Sequence, residues 1–75
     1  MIPLDETTAR NVRRLPRRQL ETLTYLAKGF THSEIAALMG ISHGTVGDQC
    51  KSIYQTLQID NKVEAAVIAC KYGLV

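Results

Sequence analysis

The stretch that decides the fold runs from Thr31 to Leu57, THSEIAALMGISHGTVGDQCKSIYQTL. It reads as a helix, a tight turn and a second, longer helix. Thr31 and Glu34 have T-x-x-E spacing, so each side chain can bond the other's backbone N–H and start the first helix. Gly40 follows the apolar positions Ile35, Leu38 and Met39, where a helix end needs a residue that tolerates positive φ. Ser42 can cap the second helix by accepting from the backbone N–H of Gly44 or Thr45. Ala36 is small enough for the two helices to cross closely, and Val46 points back into the angle between them.

This is helix-turn-helix spacing, and most such motifs lay the second helix in the DNA major groove. At about 100° per residue, Val46, Cys50, Ile53 and Leu57 fall on one narrow stripe with Tyr54 at its margin. That stripe is the expected buried face. The opposite side presents Gly44, Asp48, Lys51, Ser52 and Gln55, with Gly47 at its edge. If this helix reads bases, those residues do the reading. Glycines in a helix interior cost about 1 kcal/mol each against alanine. Close backbone approach to DNA would account for them. A first-turn position for Gly44 and a lost side chain at Gly47 would do so equally.

Upstream, Pro16 suits the first turn of a helix running to about Lys28. Leu20, Leu23, Leu26, Ala27 and then Phe30 suit one face of it, and Gly29 ends it. Arg17 and Arg18 stand at the positive end of the helix dipole, a poor place for cations unless phosphates dock there. Residues 1–14 form a basic N-terminal arm with only a weak apolar pattern at Leu4, Ala9 and Val12. The arm is either a frayed helix or a linker, and its arginines suit a solvated tether and a phosphate contact equally.

Downstream, Ile59 closes the core, and Asn61 with Glu64 makes a second capping box for a last helix. One apolar stripe of that helix, Ala65, Ile68, Ala69 and Tyr72, can face the core. A second, Val63, Val67, Cys70 and Leu74, is left over and needs its own burial surface. A homodimer contact through that stripe is the preferred occupant, and a lid from an N-terminal domain is the other.

Seventy-five residues make one small domain, near the size where a single core only just suffices. The length suits the terminal domain of a longer regulator. Hydrophobic residues make up 45% of the chain, with no tryptophan and one phenylalanine, so a modest aliphatic core is expected. No apolar run approaches a membrane span and nothing resembles a signal peptide, so no membrane partner is expected and a cytoplasmic location is. Cys50 and Cys70 lie on separate helices without C-x-x-C spacing and read as reduced thiols. With His32 and His43 they show no ligand spacing, so neither metal nor cofactor is expected. Ser42 and His43 are chain neighbours rather than parts of a triad, and so small a helical domain has little room for a catalytic pocket.

The formal net charge is +2, but it is unevenly spread. Residues 1–18 carry Arg10, Arg13, Arg14, Arg17 and Arg18 against Asp5 and Glu6, a net of +3. Residues 19–75 carry Lys28, Lys51, Lys62 and Lys71 against Glu21, Glu34, Asp48, Asp60 and Glu64, a net of −1. The helix-turn-helix adds almost none of the basic excess, which is unusual for a binder whose affinity rests on phosphate neutralisation.

From Leu15 to Val75 the chain resembles the LuxR-type helix-turn-helix domain, also called GerE-like or NarL/FixJ-type. The residues that carry the resemblance are Leu15-x-x-Arg18-x-x-Glu21, Leu26-Ala27-x-Gly29, Glu34-Ile35-Ala36, Leu38, Ile41-Ser42, Thr45-Val46, Ile53-Tyr54, Leu57-x-Ile59-x-Asn61 and Glu64-Ala65. The resemblance implies an all-α, four-helix domain at 15–75, a tri-helical core plus a dimerisation helix. It implies binding of double-stranded DNA as the output domain of a bacterial transcription regulator, of the two-component response-regulator kind, with a receiver or sensor domain N-terminal to it. By resemblance, Gly47, Asp48 and Lys51 face bases. Thr31, His32, Ser33, Thr45, Tyr54 and Lys62 would touch the DNA backbone, and the dipole argument adds Arg17 and Arg18. The family commonly has Thr at position 16, Lys at 47, His at 49, Lys at 56 and Arg at 62, where this chain has Pro16, Gly47, Gln49, Thr56 and Lys62. Asp48 could accept from cytosine N4 but would repel phosphates.

Two other readings stay open. Leu15-Pro16-Arg17-Arg18-Gln19 and Ile41-Ser42-x-Gly44-Thr45-Val46 also resemble region 4 of sigma factors, although the segment from Ile59 to Val75 favours the LuxR type. A protein-interaction module that kept the fold but weakened or lost DNA binding is favoured by the acidic balance and Gly47. The intact Thr45, Lys51 and turn oppose it.

Overall fold

The computed structural model describes residues 6–73. Among them run five helices and no strand: α1 (Glu6–Arg13), α2 (Arg17–Ala27), α3 (His32–Met39), α4 (His43–Leu57) and α5 (Lys62–Lys71). Helices α2 to α5 are the four expected from the sequence. Leu4 of the weak N-terminal pattern and Leu74 of the leftover stripe lie outside the described residues.

Each helix boundary has a local cause. Pro16 stands at the N-cap of α2 with φ −58° and ψ 154°, where its missing N–H leaves no helical bond unmade. Thr31 and Glu34 form the full capping box: Glu34 N–H donates to Thr31 Oγ1 at 3.1 Å and Thr31 N–H donates to Glu34 Oε1 at 2.9 Å. Gly40 ends α3 in the left-handed region at φ 67°. Ser42 Oγ accepts from Thr45 N–H at 3.1 Å to start α4. Asn61 Oδ1 accepts from Glu64 N–H at 2.9 Å to start α5. Only this half of the expected second capping box forms.

The core has two parts that meet along α4. The first joins Val12, Leu15, Leu23, Ile53, Leu57, Ala65, Ile68 and Ala69. The second joins Leu26, Ile35, Ala36, Met39, Val46 and Cys50. Half-buried Tyr54 packs against both. Val46, Cys50, Ile53 and Leu57 are the buried residues of α4, as the helical period requires. Full burial of a side chain such as Ile53 contributes about 1.5–3 kcal/mol. On α3 only part of the apolar run turns inward: Ile35 and Met39 are buried, while Leu38 is 55% exposed.

Helix α1 is where structure and sequence differ most. The sequence leaves residues 1–14 open between a frayed helix and a linker. Over residues 6–13 the chain is a helix packed on α4. Val12 is 6% exposed and shares the first core part with α4 and α5. One valine and Leu15, three residues on, give too little pattern to predict a helix, yet they suffice once a core exists to receive them.

Candidate nucleic-acid interface

Helix α4 offers a solvent face that lies opposite its buried stripe. Gly44, Thr45, Asp48, Lys51 and Gln55 are exposed, and Gly47 and Ser52 are half-buried. A Cβ built at Gly47 would meet nothing within 4 Å, and one at Gly44 would touch only Ser42 Oγ at 4.0 Å. No contact inside the protein therefore requires glycine at either place. Gly44 lies in the first turn of α4, where the missing side chain costs little.

The first turns of α3 and α4 stand side by side. His32 opens α3 and His43 opens α4, with ring centroids 5.7 Å apart and ring planes tilted by 55°. His32 Nε2 lies 3.5 Å from Cys50 Sγ. Chain spacing gives no hint of this grouping, because the fold alone brings residues 32, 43 and 50 together. Among the described residues, no three His, Cys, Asp or Glu side chains are placed to hold a metal ion. Burial pushes the Cys50 thiol pKa up, and the nearby Lys62 charge partly offsets that. Tyr54 is pushed up by burial first and by Cys50 second. Lys62, the first residue of α5, therefore lies near Cys50 in the middle of α4.

The remaining expected backbone contacts divide. Thr31, Ser33 and Thr45 are exposed around the two helix starts. Thr45 Oγ1 already shares a hydrogen bond with Ser42 Oγ at 2.8 Å, so its hydroxyl is held in place by the cap. Arg17 is exposed at the start of α2. Arg18 is also exposed, but it reaches the other end of the motif: its Nη2 donates to the carbonyl of Met39 at 3.4 Å. A cation at the C-terminus of α3 meets unsatisfied carbonyls and the negative end of the dipole. That contact, not anticipated from the sequence, occupies part of the guanidinium.

The sequence also passes over a polar pair beneath α4. Thr22 is fully buried. Its Oγ1 lies within hydrogen-bonding reach of Gln49 Oε1, of the Arg18 carbonyl at 3.1 Å and of Met39 Sδ at 3.3 Å, and its one hydrogen serves one of these acceptors at a time. A threonine beside Leu23 on the inner face of α2 is the available signal, since a buried hydroxyl needs a partner. The partner, 27 residues away, has no local signature.

On α5 the leftover stripe faces outward. Val63 is 72% exposed, Val67 is 41% exposed, and Cys70 is exposed. No helix among the described residues is long and apolar enough to cross a membrane.

Comparison with known proteins agrees with this geometry. Residues 13–69 match the GerE family, bacterial regulatory proteins of the luxR family. The chain is 36% identical over 63 residues to the putative HTH-type transcriptional regulator YhjB of Escherichia coli, covering 84% of this chain and 32% of that protein. It is 37% identical over 60 residues to the transcriptional activator protein AnoR of Acinetobacter nosocomialis, covering 80% of this chain and 25% of that protein. It is 30% identical over 61 residues to the response regulator protein VraR of Staphylococcus aureus, covering 81% and 29%. The chain thus spans about a third or less of the length of these relatives. No solved structure matches it significantly. With a family match across most of its length, the chain belongs to the LuxR family of bacterial regulatory proteins.

Proposed function

We propose that this chain is the DNA-binding output domain of a bacterial transcription regulator of the two-component response-regulator kind, working in the cytoplasm on double-stranded DNA. The observation that carries the reading is the free outer face of α4, polar and open, on a helix whose other side is fully seated in the core. In this reading Lys51 and Asp48 hydrogen-bond base edges and Gly47 lets the backbone come close. Thr31, His32, Ser33, Thr45, Tyr54 and Lys62 contact phosphates on either side of the groove, with Arg17 and the free donors of Arg18 beside them.

Two copies joined through Val63, Val67, Cys70 and Leu74 would set their α4 helices in successive major grooves, roughly 10 base pairs apart. A receiver or sensor domain would precede the output domain in the full-length regulator. The response regulator relative VraR, of which the matched stretch covers 29%, supports a further domain in such a regulator.

The test is the Lys51→Ala variant on a duplex selected by the parent chain. Loss of a base contact should weaken binding by about 1–3 kcal/mol and relax preference at one position. Unchanged affinity would sink the assignment of α4. A second reading, a protein-interaction module on the same fold, is favoured by Asp48 on the outer face of α4 and the net −1 of residues 19–75. It predicts no duplex binding at low salt by the folded protein.

A further inference from the structure

We propose that Thr22 and Gln49 are positioning residues that set the register of α4, and so decide which base edges Asp48 and Lys51 reach. This rests on the DNA-reading role of α4 proposed above and adds to it a specificity device lying behind the helix. The apolar stripe of Val46, Cys50, Ile53 and Leu57 holds α4 against the core by burial, which is itself non-directional. A hydrogen bond is directional. The Thr22–Gln49 bond joins α4 to α2 at a point one residue after Asp48 and two before Lys51.

The anchor itself is buried. Thr22 is 0% exposed, and its hydroxyl has a single hydrogen that serves Gln49 Oε1 or the Arg18 carbonyl. Its sulfur neighbour, Met39 Sδ at 3.3 Å, belongs to the last residue of α3. One turn earlier, Arg18 holds the Met39 carbonyl at 3.4 Å. A single turn of α2, from Arg18 to Thr22, therefore holds the end of the first motif helix and the middle of the second. Base-edge recognition tolerates displacements of only about 0.5 Å, so a tie at this point controls what the outer face can read. Gln49 stands where the resembling family commonly carries His. Here it is turned inward onto Thr22 rather than outward toward DNA.

The experiment selects preferred sites for the 75-residue chain from a random-sequence duplex library, then repeats the selection with Thr22→Ser, Thr22→Val and the double variant Thr22→Val/Gln49→Leu. Thr22→Ser keeps the hydroxyl and should keep the parent preference. Thr22→Val should lower discrimination against single-base changes facing Asp48 and Lys51 about tenfold, the scale of one lost base contact. Binding to random duplex, and its salt slope, should change far less, because Thr31, Ser33, Arg17 and Lys62 lie off α4 and the α4 contacts Thr45 and Tyr54 carry no charge. The double variant makes both partners apolar and leaves no orphaned group. It should fold even if Thr22→Val alone does not, and should show the same loss. An unchanged preference in the folded variants, or a weakening equal for every duplex, would overturn the positioning role. A parent chain that binds no duplex would instead overturn the DNA-reading role beneath it, before any variant is compared.

Discussion

Helices α4 and α5 each seat an apolar stripe in the same core part, Ile53 and Leu57 from one and Ala65, Ile68 and Ala69 from the other. Their outer faces are opposites. That of α4 carries Gly44, Asp48, Lys51 and Gln55, all exposed, and can exchange water for hydrogen bonds with a polar partner. That of α5 carries Val63 and Val67, 72% and 41% exposed, and gains most from meeting another apolar surface. In the proposed reading recognition and assembly are divided between these two helices, which are joined by the short link at residues 58–61.

The strongest way to break that division is to charge the α5 face. In the Val63→Asp/Val67→Asp variant, self-association should weaken by about 100-fold or more, the scale of two valines kept from burial. Sedimentation velocity reads this directly. Helical content should hold, because both positions are exposed in the single chain. Binding to a duplex with one half-site should survive while the advantage of two half-sites disappears. Persistent self-association would assign the α5 face to some other partner.

Helix α1 packs on α4 and shares a core part with both α4 and α5, so the next expected effect is on the scaffold. Deleting residues 1–14 removes Val12, 6% exposed, and should lower unfolding free energy by about 2 kcal/mol. Replacing Arg10, Arg13 and Arg14 with Gln should change it by no more than about 0.5 kcal/mol, since all three are exposed. Denaturant unfolding of the two proteins separates the roles. If the deletion unfolds no more easily than the parent, residues 6–13 do not support the core. Any DNA-binding loss on deletion must therefore be compared with the arginine variant before it is attributed to charge.

These residues also show where the sequence could be read and where it could not. The starts of α3, α4 and α5 were legible because a cap is a local device: Thr31, Ser42 and Asn61 each bond a backbone N–H three residues on. The α4 stripe was legible because a period of 3.6 residues leaves little choice over fifteen residues. Helix α1 was not, because its stability comes from packing rather than propensity. Nor were Thr22–Gln49 and Arg18–Met39, separated by 27 and 21 residues. A pair bond over such a distance has no pattern until the fold exists. The proximity of His32, His43 and Cys50 arises in the same way.

A smaller change sharpens the α4 side. A Cβ at position 47 meets no atom of the protein within 4 Å, and Gly47→Lys replaces a glycine inside a helix, so stability should rise by about 1 kcal/mol. Duplex affinity at low salt should rise severalfold, and the salt slope should steepen by about 0.9 for one added phosphate contact. Titration of duplex across a salt series measures both. A more stable protein that binds DNA worse would show that the backbone at 47 comes too close to DNA for any side chain.

The smallest effect lies at the joint. Gln58 caps α4 in the left-handed region at φ 58°, the one described residue other than glycine with positive φ. The conformation lets Ile59 N–H reach the Tyr54 carbonyl at 2.9 Å and turns Ile59 onto the core. An L-residue pays about 1–2 kcal/mol there, part of which glycine returns through its looser unfolded state. Gln58→Gly should therefore raise stability by about 0.5–1 kcal/mol, measured by thermal unfolding. Because Gln58 is exposed and the backbone path is kept, both outer faces should hold their relative angle. Self-association and duplex affinity should then match the parent. A stabilised protein with altered half-site spacing would mean that the residue at 58 helps set the angle between α4 and α5.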